Sequence, residues 1–147
     1  MTGCLFAYGT LMYPALIEAI VGRVPPSEPA VLRGFRREGM QGRAYPAIVA
    51  ESGGRVEGRL YDGIPLAALA RLDRFEGDEY RRETHRVEVA GGRFRTAWCY
   101  VIAAGCVDLL SGRPWDVAAF ERRFLDSYIG EYSSKCGRQN ASQYSDG

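Results

Sequence analysis

Histidine occurs once in this chain of 147 residues, at His85. With no second ring, an imidazole metal cluster and a two-histidine proton relay are excluded. The four cysteines, Cys4, Cys99, Cys106 and Cys136, are scattered with no C-x-x-C pair. That pattern predicts reduced thiols in the cytoplasm and no structural zinc. No apolar run is long enough for a transmembrane helix, and the N-terminus lacks the basic-then-apolar layout of a signal peptide. Charge is short too: a formal net of +1 gives no reason to expect nucleic acid or an acidic membrane surface as partner. No serine sits in a nucleophile elbow, and Tyr8-Gly9-Thr10 lacks the further glycines and lysine of a phosphate loop. What is left for chemistry is carboxylates, hydroxyls and backbone donors.

What is present reads as one domain over residues 1–132, with a mobile Ser/Gly/Asn/Gln tail over 133–147. Cys4 to Tyr8 has the composition of a buried strand, Gly9 breaks it, and Pro14 opens a helix carrying Leu16, Ile17, Ile20 and Val21. Gly22 is its stop. Val24 to Pro29, with three prolines, predicts an irregular loop or arm. Ala30 to Met40 reads as strand around a turn at Gly34, and Tyr45 to Val49 as a further short strand. Ser52-Gly53-Gly54 is a hairpin signal, followed by Arg55 to Tyr61 with Val56, Gly58 and Leu60 on one face. Asp62 to Pro65 ends that strand and starts a helix whose Leu66, Leu69, Leu72 and Phe75 share a face, closed by Gly77. Tyr80 to Val89 and Phe94 to Ala103 read as strands joined at Gly91-Gly92. Pro114-Trp115-Asp116 opens a last helix with a stripe of Phe120, Phe124 and Tyr128. Six or so short strands, some joined by hairpins, with three helices, point to an α+β fold: a small mixed, mostly antiparallel β-barrel with flanking helices.

Two stretches draw attention chemically. A strand leading through Gly9 toward a helix leaves backbone N–H groups without partners, able to hold an anion or a developing oxyanion; a plain strand-to-helix connection has the same sequence. The acids cluster in Asp73-Arg74-Phe75-Glu76-Gly77-Asp78-Glu79. Asp73 sits where the helix dipole disfavours it, which predicts a local partner such as an arginine. Glu76, between a core phenylalanine and a glycine gap, is placed to be desolvated, which raises a carboxyl pKa toward the range of a general base. Taken alone it also reads as a surface glutamate at a helix end. Asp78 and Glu79 read as solvated charges.

Four blocks together resemble one family. Tyr8-Gly9-Thr10-Leu11, Tyr45-Pro46-Ala47-Ile48-Val49, Gly58-Arg59-Leu60-Tyr61, and Leu72-Asp73-Arg74-Phe75-Glu76-Gly77 followed by Tyr80-Arg81-Arg82 are similar, in order and spacing, to the γ-glutamylcyclotransferase-like superfamily that includes the AIG2-like proteins. The resemblance implies a small barrel in which the turn Tyr8, Gly9, Thr10 and Leu11 shares a pocket with a catalytic glutamate, here Glu76. It implies cyclisation of a small-molecule γ-glutamyl substrate to 5-oxoproline and a free amine or amino acid, with no metal or organic cofactor. Tyr45 and Tyr80 are the tyrosines placed at the pocket by these blocks, ahead of Tyr61 and Tyr100. Arg43 could pair a substrate carboxylate, although its sequence context favours a solvated arginine. Val24 to Pro29 and the turns near Gly105 match no specific member. The alternative is a binding or regulatory module that keeps the pocket without turnover.

Overall fold

The alternating row Val56, Gly58, Leu60 belongs to a strand far longer than its sequence signals suggest. The computed structural model of the chain describes residues 1–123 and 125. In it, β1 (Thr2–Ala7), β2 (Ser27–Gly39), β3 (Pro46–Pro65), β4 (Tyr80–Glu88) and β5 (Phe94–Ile102) close into a barrel in the order β1-β3-β2-β4-β5. Only β1 with β5 is parallel, at Leu5 opposite Trp98; the other pairings are antiparallel. The mixed, mostly antiparallel barrel is therefore present, with α1 (Pro14–Val21), α2 (Leu69–Glu76) and α3 (Val117–Arg123) around it.

Five strands replace the expected six or so because two glycine signals are not turns. Gly34 and the Ser52-Gly53-Gly54 segment face each other where the β2–β3 register slips, between Arg33 opposite Arg55 and Phe35 opposite Ala50. Gly34 and Gly53 have φ of +86° and +79°, and a Cβ on Gly54 would lie 2.4 Å from the Phe35 carbonyl oxygen. These glycines serve a bulge in one long hairpin, which bends it around the core. The hairpin's connection is residues 40–45, and only Gly91-Gly92 links two strands as expected, between β4 and β5.

Ser27, Glu28 and Pro29 are also strand, opposite Tyr61, Leu60 and Arg59, so the expected loop ends earlier. Proline is tolerated there because β2 meets β4 only at Val31 opposite Glu88, leaving the neighbouring edge without a ladder to interrupt. Pro65 ends β3, paired with Thr2, instead of opening a helix. A 3-10 turn over Leu66–Ala68 precedes α2. Leu66 is exposed, and Ala68 joins Leu72 on the buried face in its place.

Apolar side chains fill two layers. Phe6, Leu32, Ile48, Val56, Leu60, Val87 and Cys99 pack inside the barrel. Leu5, Ala7, Tyr61, Ile64 and Tyr100 on its outer face pack against Leu16, Ile17 and Ile20 of α1 and Leu72 of α2. Eight-residue helices are too short to stand alone in water. Burying Leu16, Ile17 and Leu72 completely, at about 1.5–3 kcal/mol each, is what holds α1 and α2 on the sheet. Gly22, at φ +99°, ends α1 as read, and Asp116 Oδ1 accepts the Ala119 N–H at the start of α3. Phe120 of the predicted stripe is buried; Phe124, Tyr128 and the tail over 133–147 lie outside the described residues.

Candidate active site

The end of β1 runs into a 3-10 turn, Thr10–Met12, before α1 begins. Gly9 has φ of −133° and ψ of −128°, and the close packing around it shows a steric requirement for glycine. A Cβ there would sit 2.8 Å from Pro46 Cγ and 3.0 Å from Pro46 Cδ. The Tyr45-Pro46 block thus packs directly on the turn. The Met12 and Tyr13 N–H groups donate to the Gly9 and Thr10 carbonyls at 3.0 and 3.2 Å, while those of Gly9, Thr10 and Leu11 find no acceptor among the described residues. The turn is pinned from behind. Tyr61 Oη donates to the Leu11 carbonyl at 2.8 Å, and Arg37 Nη1 to the Tyr8 carbonyl at 2.6 Å.

Beside the turn lies a cavity of about 520 Å³, counting the solvent space at its open mouth. Glu76, Tyr8, Gly9, Thr10, Leu11, Tyr45 and Tyr80 all line it. So does Tyr100, which stood among the candidate hydroxyls without being placed; it lies opposite Arg82, two residues along β4 from Tyr80. Pro46 and Phe75 complete much of the wall. Tyr61 is not in the lining; its ring is buried under α1 and its hydroxyl holds Leu11.

Glu76 is the last residue of α2, where Gly77 at φ +81° turns the chain away and donates its N–H to the Asp73 carbonyl at 2.9 Å. The side chain is half-buried, its residue bordering the cavity. Burial, with a smaller contribution from the Asp73 carboxylate, pushes its pKa up from 4.5 to about 8. Among the described residues no arginine or lysine lines the cavity to oppose this. At neutral pH Glu76 is therefore mostly a neutral acid.

The surrounding tyrosine hydroxyls are committed to protein acceptors. Tyr8 Oη donates to the Tyr100 carbonyl and Tyr80 Oη to the Pro46 carbonyl, both at 2.5 Å. Tyr100 Oη donates to Asp73 Oδ1 at 2.6 Å, and Arg82 Nε stands 3.6 Å from the same oxygen, supplying the arginine partner anticipated for Asp73. Burial pushes the phenols of Tyr8, Tyr80 and Tyr100 well up, so all three remain donors. Glu79 is not the solvated charge its sequence context suggests. Its Oε1 accepts from Tyr45 Oη at 2.7 Å and its Oε2 from Arg43 Nε at 2.8 Å. Arg43 is thereby engaged at the rim instead of lining the cavity. Asp78 is exposed, as read. His85 pairs with Glu83 at 2.7 Å, outside the cavity lining. Among the described residues no cluster of metal-ligating side chains occurs.

The family model described as gamma-glutamyl cyclotransferase, AIG2-like, matches residues 5–117. AIG2-like protein B of Arabidopsis thaliana is 36% identical over 143 residues, covering 95% of this chain and 81% of that protein. AIG2-like protein C of the same plant is 42% identical over 83 residues, covering 56% of this chain and 48% of its own length. The chain spans about half the length of several of the curated relatives it matches. A solved gamma-glutamyl cyclotransferase superposes with a TM-score of 0.60 at 16% identity, covering 90% of this chain and 86% of that one, a likeness of fold alone.

Proposed function

The chain belongs to the gamma-glutamyl cyclotransferase, AIG2-like family, and from that premise we propose that it cyclises a γ-glutamyl amine or amino acid to 5-oxoproline, releasing the free amine. The observation that carries the reading is that Glu76 and the unpartnered N–H groups of Gly9, Thr10 and Leu11 border one cavity. The substrate brings its own nucleophile. Its α-amine attacks its γ-carbonyl carbon and a C–N bond forms. The carbonyl electron pair moves to oxygen, which the Gly9–Leu11 donors hold. The pair then returns, the bond to the leaving nitrogen breaks, and a five-membered lactam remains.

Glu76 takes a proton from the α-ammonium and passes one to the departing nitrogen. An ammonium beside a desolvated carboxyl favours its ionised form, so Glu76 releases its proton to solvent as the substrate ammonium arrives and then serves as the base. Curling the glutamyl chain within walls made by Tyr45, Pro46, Phe75 and Tyr80 is a proximity effect able to supply several kcal/mol of the barrier. The steps as written use no metal or organic cofactor.

The test is release of 5-oxoproline from a panel of γ-glutamyl amines and dipeptides. Glu76→Gln keeps the side chain's size and loses the base, and is expected to bind ligand while turning over at least ~100-fold more slowly. Equal rates for the two proteins would overturn the role given to Glu76. Binding without turnover by either would make the chain a ligand-binding module.

A further inference from the structure

Behind Glu76 stands a group of side chains that the cyclisation leaves idle. Asp73 lies three residues earlier on α2, a spacing that places two side chains on one helix face. Tyr100 Oη holds Asp73 Oδ1 at 2.6 Å and Arg82 Nε approaches it to 3.6 Å. Tyr100 and Arg82 are direct partners in the β4–β5 register, so one stretch of sheet presents both to the helix. Each feature is unfavourable taken singly. An acid near a helix C-terminus opposes the dipole, and two acids on one face repel. In addition, Arg82 Nη1 is buried with no hydrogen-bond partner among the described residues, an uncommon arrangement in folded proteins. Together they hold a carboxylate one helical turn before Glu76, with a counter-charge set against that carboxylate.

We propose that Asp73, Tyr100 and Arg82 form an electrostatic brace for Glu76. Asp73 is a positioning residue whose charge acts on the reaction through Glu76, and Arg82 sets how much of that charge Glu76 feels. The inference rests on the cyclotransferase reading for its purpose, though not for its measurement.

Asp73 is the carboxylate that acts on Glu76 from its own helix, after burial the second cause of the upward shift. Tyr8 just past the end of β1, Tyr80 of β4 and Tyr100 of β5 are the titratable groups coupled to Glu76 from the sheet side, and all three are neutral over the range concerned. Tyr45 faces the cavity from the loop before β3 and is neutral likewise. The turn Thr10–Met12 contributes no ionisable side chain. The Asp73 side chain is 46% exposed, so water screens it and its influence is limited to roughly one pH unit.

The experiment follows the Glu76 carboxyl by carbon-13 NMR across pH, its signal assigned by loss in Glu76→Gln, alongside the pH profile of kcat/KM. Asp73→Asn keeps an acceptor for Tyr100 and removes the charge; the Glu76 midpoint is expected to fall by roughly one unit, and the rising limb of the rate profile with it. Arg82→Met is expected to raise the midpoint, and to do nothing further when combined with Asp73→Asn. It also tests the brace from the sheet side should Asp73→Asn not fold. A midpoint unmoved by Asp73→Asn, or moved equally by Arg82→Met in both backgrounds, overturns the brace. Midpoints that shift as expected in a protein with no turnover uphold the brace and overturn the cyclotransferase reading; turnover with unmoved midpoints does the reverse.

Discussion

Glu76 and Glu79 stand three residues apart on either side of Gly77, and the fold drives their titrations in opposite directions. Glu76 borders a cavity with no cation in its lining among the described residues, and burial with Asp73 raises it to about 8. Burial also pushes Glu79 upward, but hydrogen bonds from Arg43 and Tyr45, with the Arg43 charge, outweigh it and hold the group below its ordinary value. Both are acids at the end of one helix or just past it. The difference lies in what the sheet and the 40–45 connection bring to them: tyrosines committed to other acceptors in one case, a guanidinium fork in the other. A base that must exchange protons near neutral pH belongs in the first setting; a clasp that keeps a loop in place belongs in the second.

The largest expected effect that would break this comparison is on turnover. Glu76→Gln should lose at least ~100-fold in 5-oxoproline release, whereas Glu79→Gln should stay within about tenfold, its effect appearing in KM as the Tyr45 wall loosens. Similar losses in kcat for both would erase the distinction between a reacting group and a supporting one.

Next in size is stability against pH, where the two acids carry opposite signs. Below the ordinary value of 4.5, Glu76 is protonated in both the folded and the unfolded chain. Between 4.5 and about 8 the unfolded chain has lost that proton while the fold still holds it, so stability falls as pH rises and levels off above 8. The upper bound on the change is about 5 kcal/mol, lessened by water in the open cavity. Glu76→Gln should flatten this decline in denaturant titrations at pH 5 and pH 9. Glu79, depressed in the fold, contributes stability that is present above its ordinary value and lost as pH falls through its folded value. Glu79→Gln should therefore cost stability at pH 7 and little at low pH. A wild-type curve that rises from pH 5 to 9 by the amount Glu76 should remove would contradict the raised titration.

Much of this site was legible because its parts are local. Gly77 ends α2 at φ +81° wherever the rest of the chain goes, and that alone places Glu76 at a helix end beside a gap. Gly22 is equally local. The glycines at 34, 53 and 54 were misread because a bulge and a hairpin ask for the same residue. Only the partner strand decides, and the close approach of Gly54 to the Phe35 carbonyl is a long-range contact. Gly9 shows the reverse: its role as a break was readable, while its reason, contact with Pro46, was not. Tyr45, Tyr61, Tyr80 and Tyr100 could not be sorted by type, because a strand tyrosine faces core or cavity according to register. That is why Tyr61 proved to brace the turn and Tyr100 to line the site. Glu79 reads as a solvated charge in its local sequence because its two partners lie 34 and 36 residues upstream.

The smallest effect is also the sharpest test of independence. Tyr45→Phe removes the single hydroxyl that donates to Glu79 Oε1 at 2.7 Å and keeps the ring that walls the cavity. Glu79 retains Arg43 and has water within reach, its side chain being 21% exposed. The loss in stability should therefore be about 1 kcal/mol, the scale of a replaceable hydrogen bond. The Glu79 midpoint should rise a little, because one of the bonds favouring its charged form is gone. The Glu76 midpoint should stay where it was, since the Tyr45 hydroxyl is not among the groups that set it. Carbon-13 titration of both carboxyls in Tyr45→Phe reads the two at once. Movement of Glu76 together with Glu79 would mean that the acids titrate as one coupled pair, and the division between cavity and rim would then have to be given up.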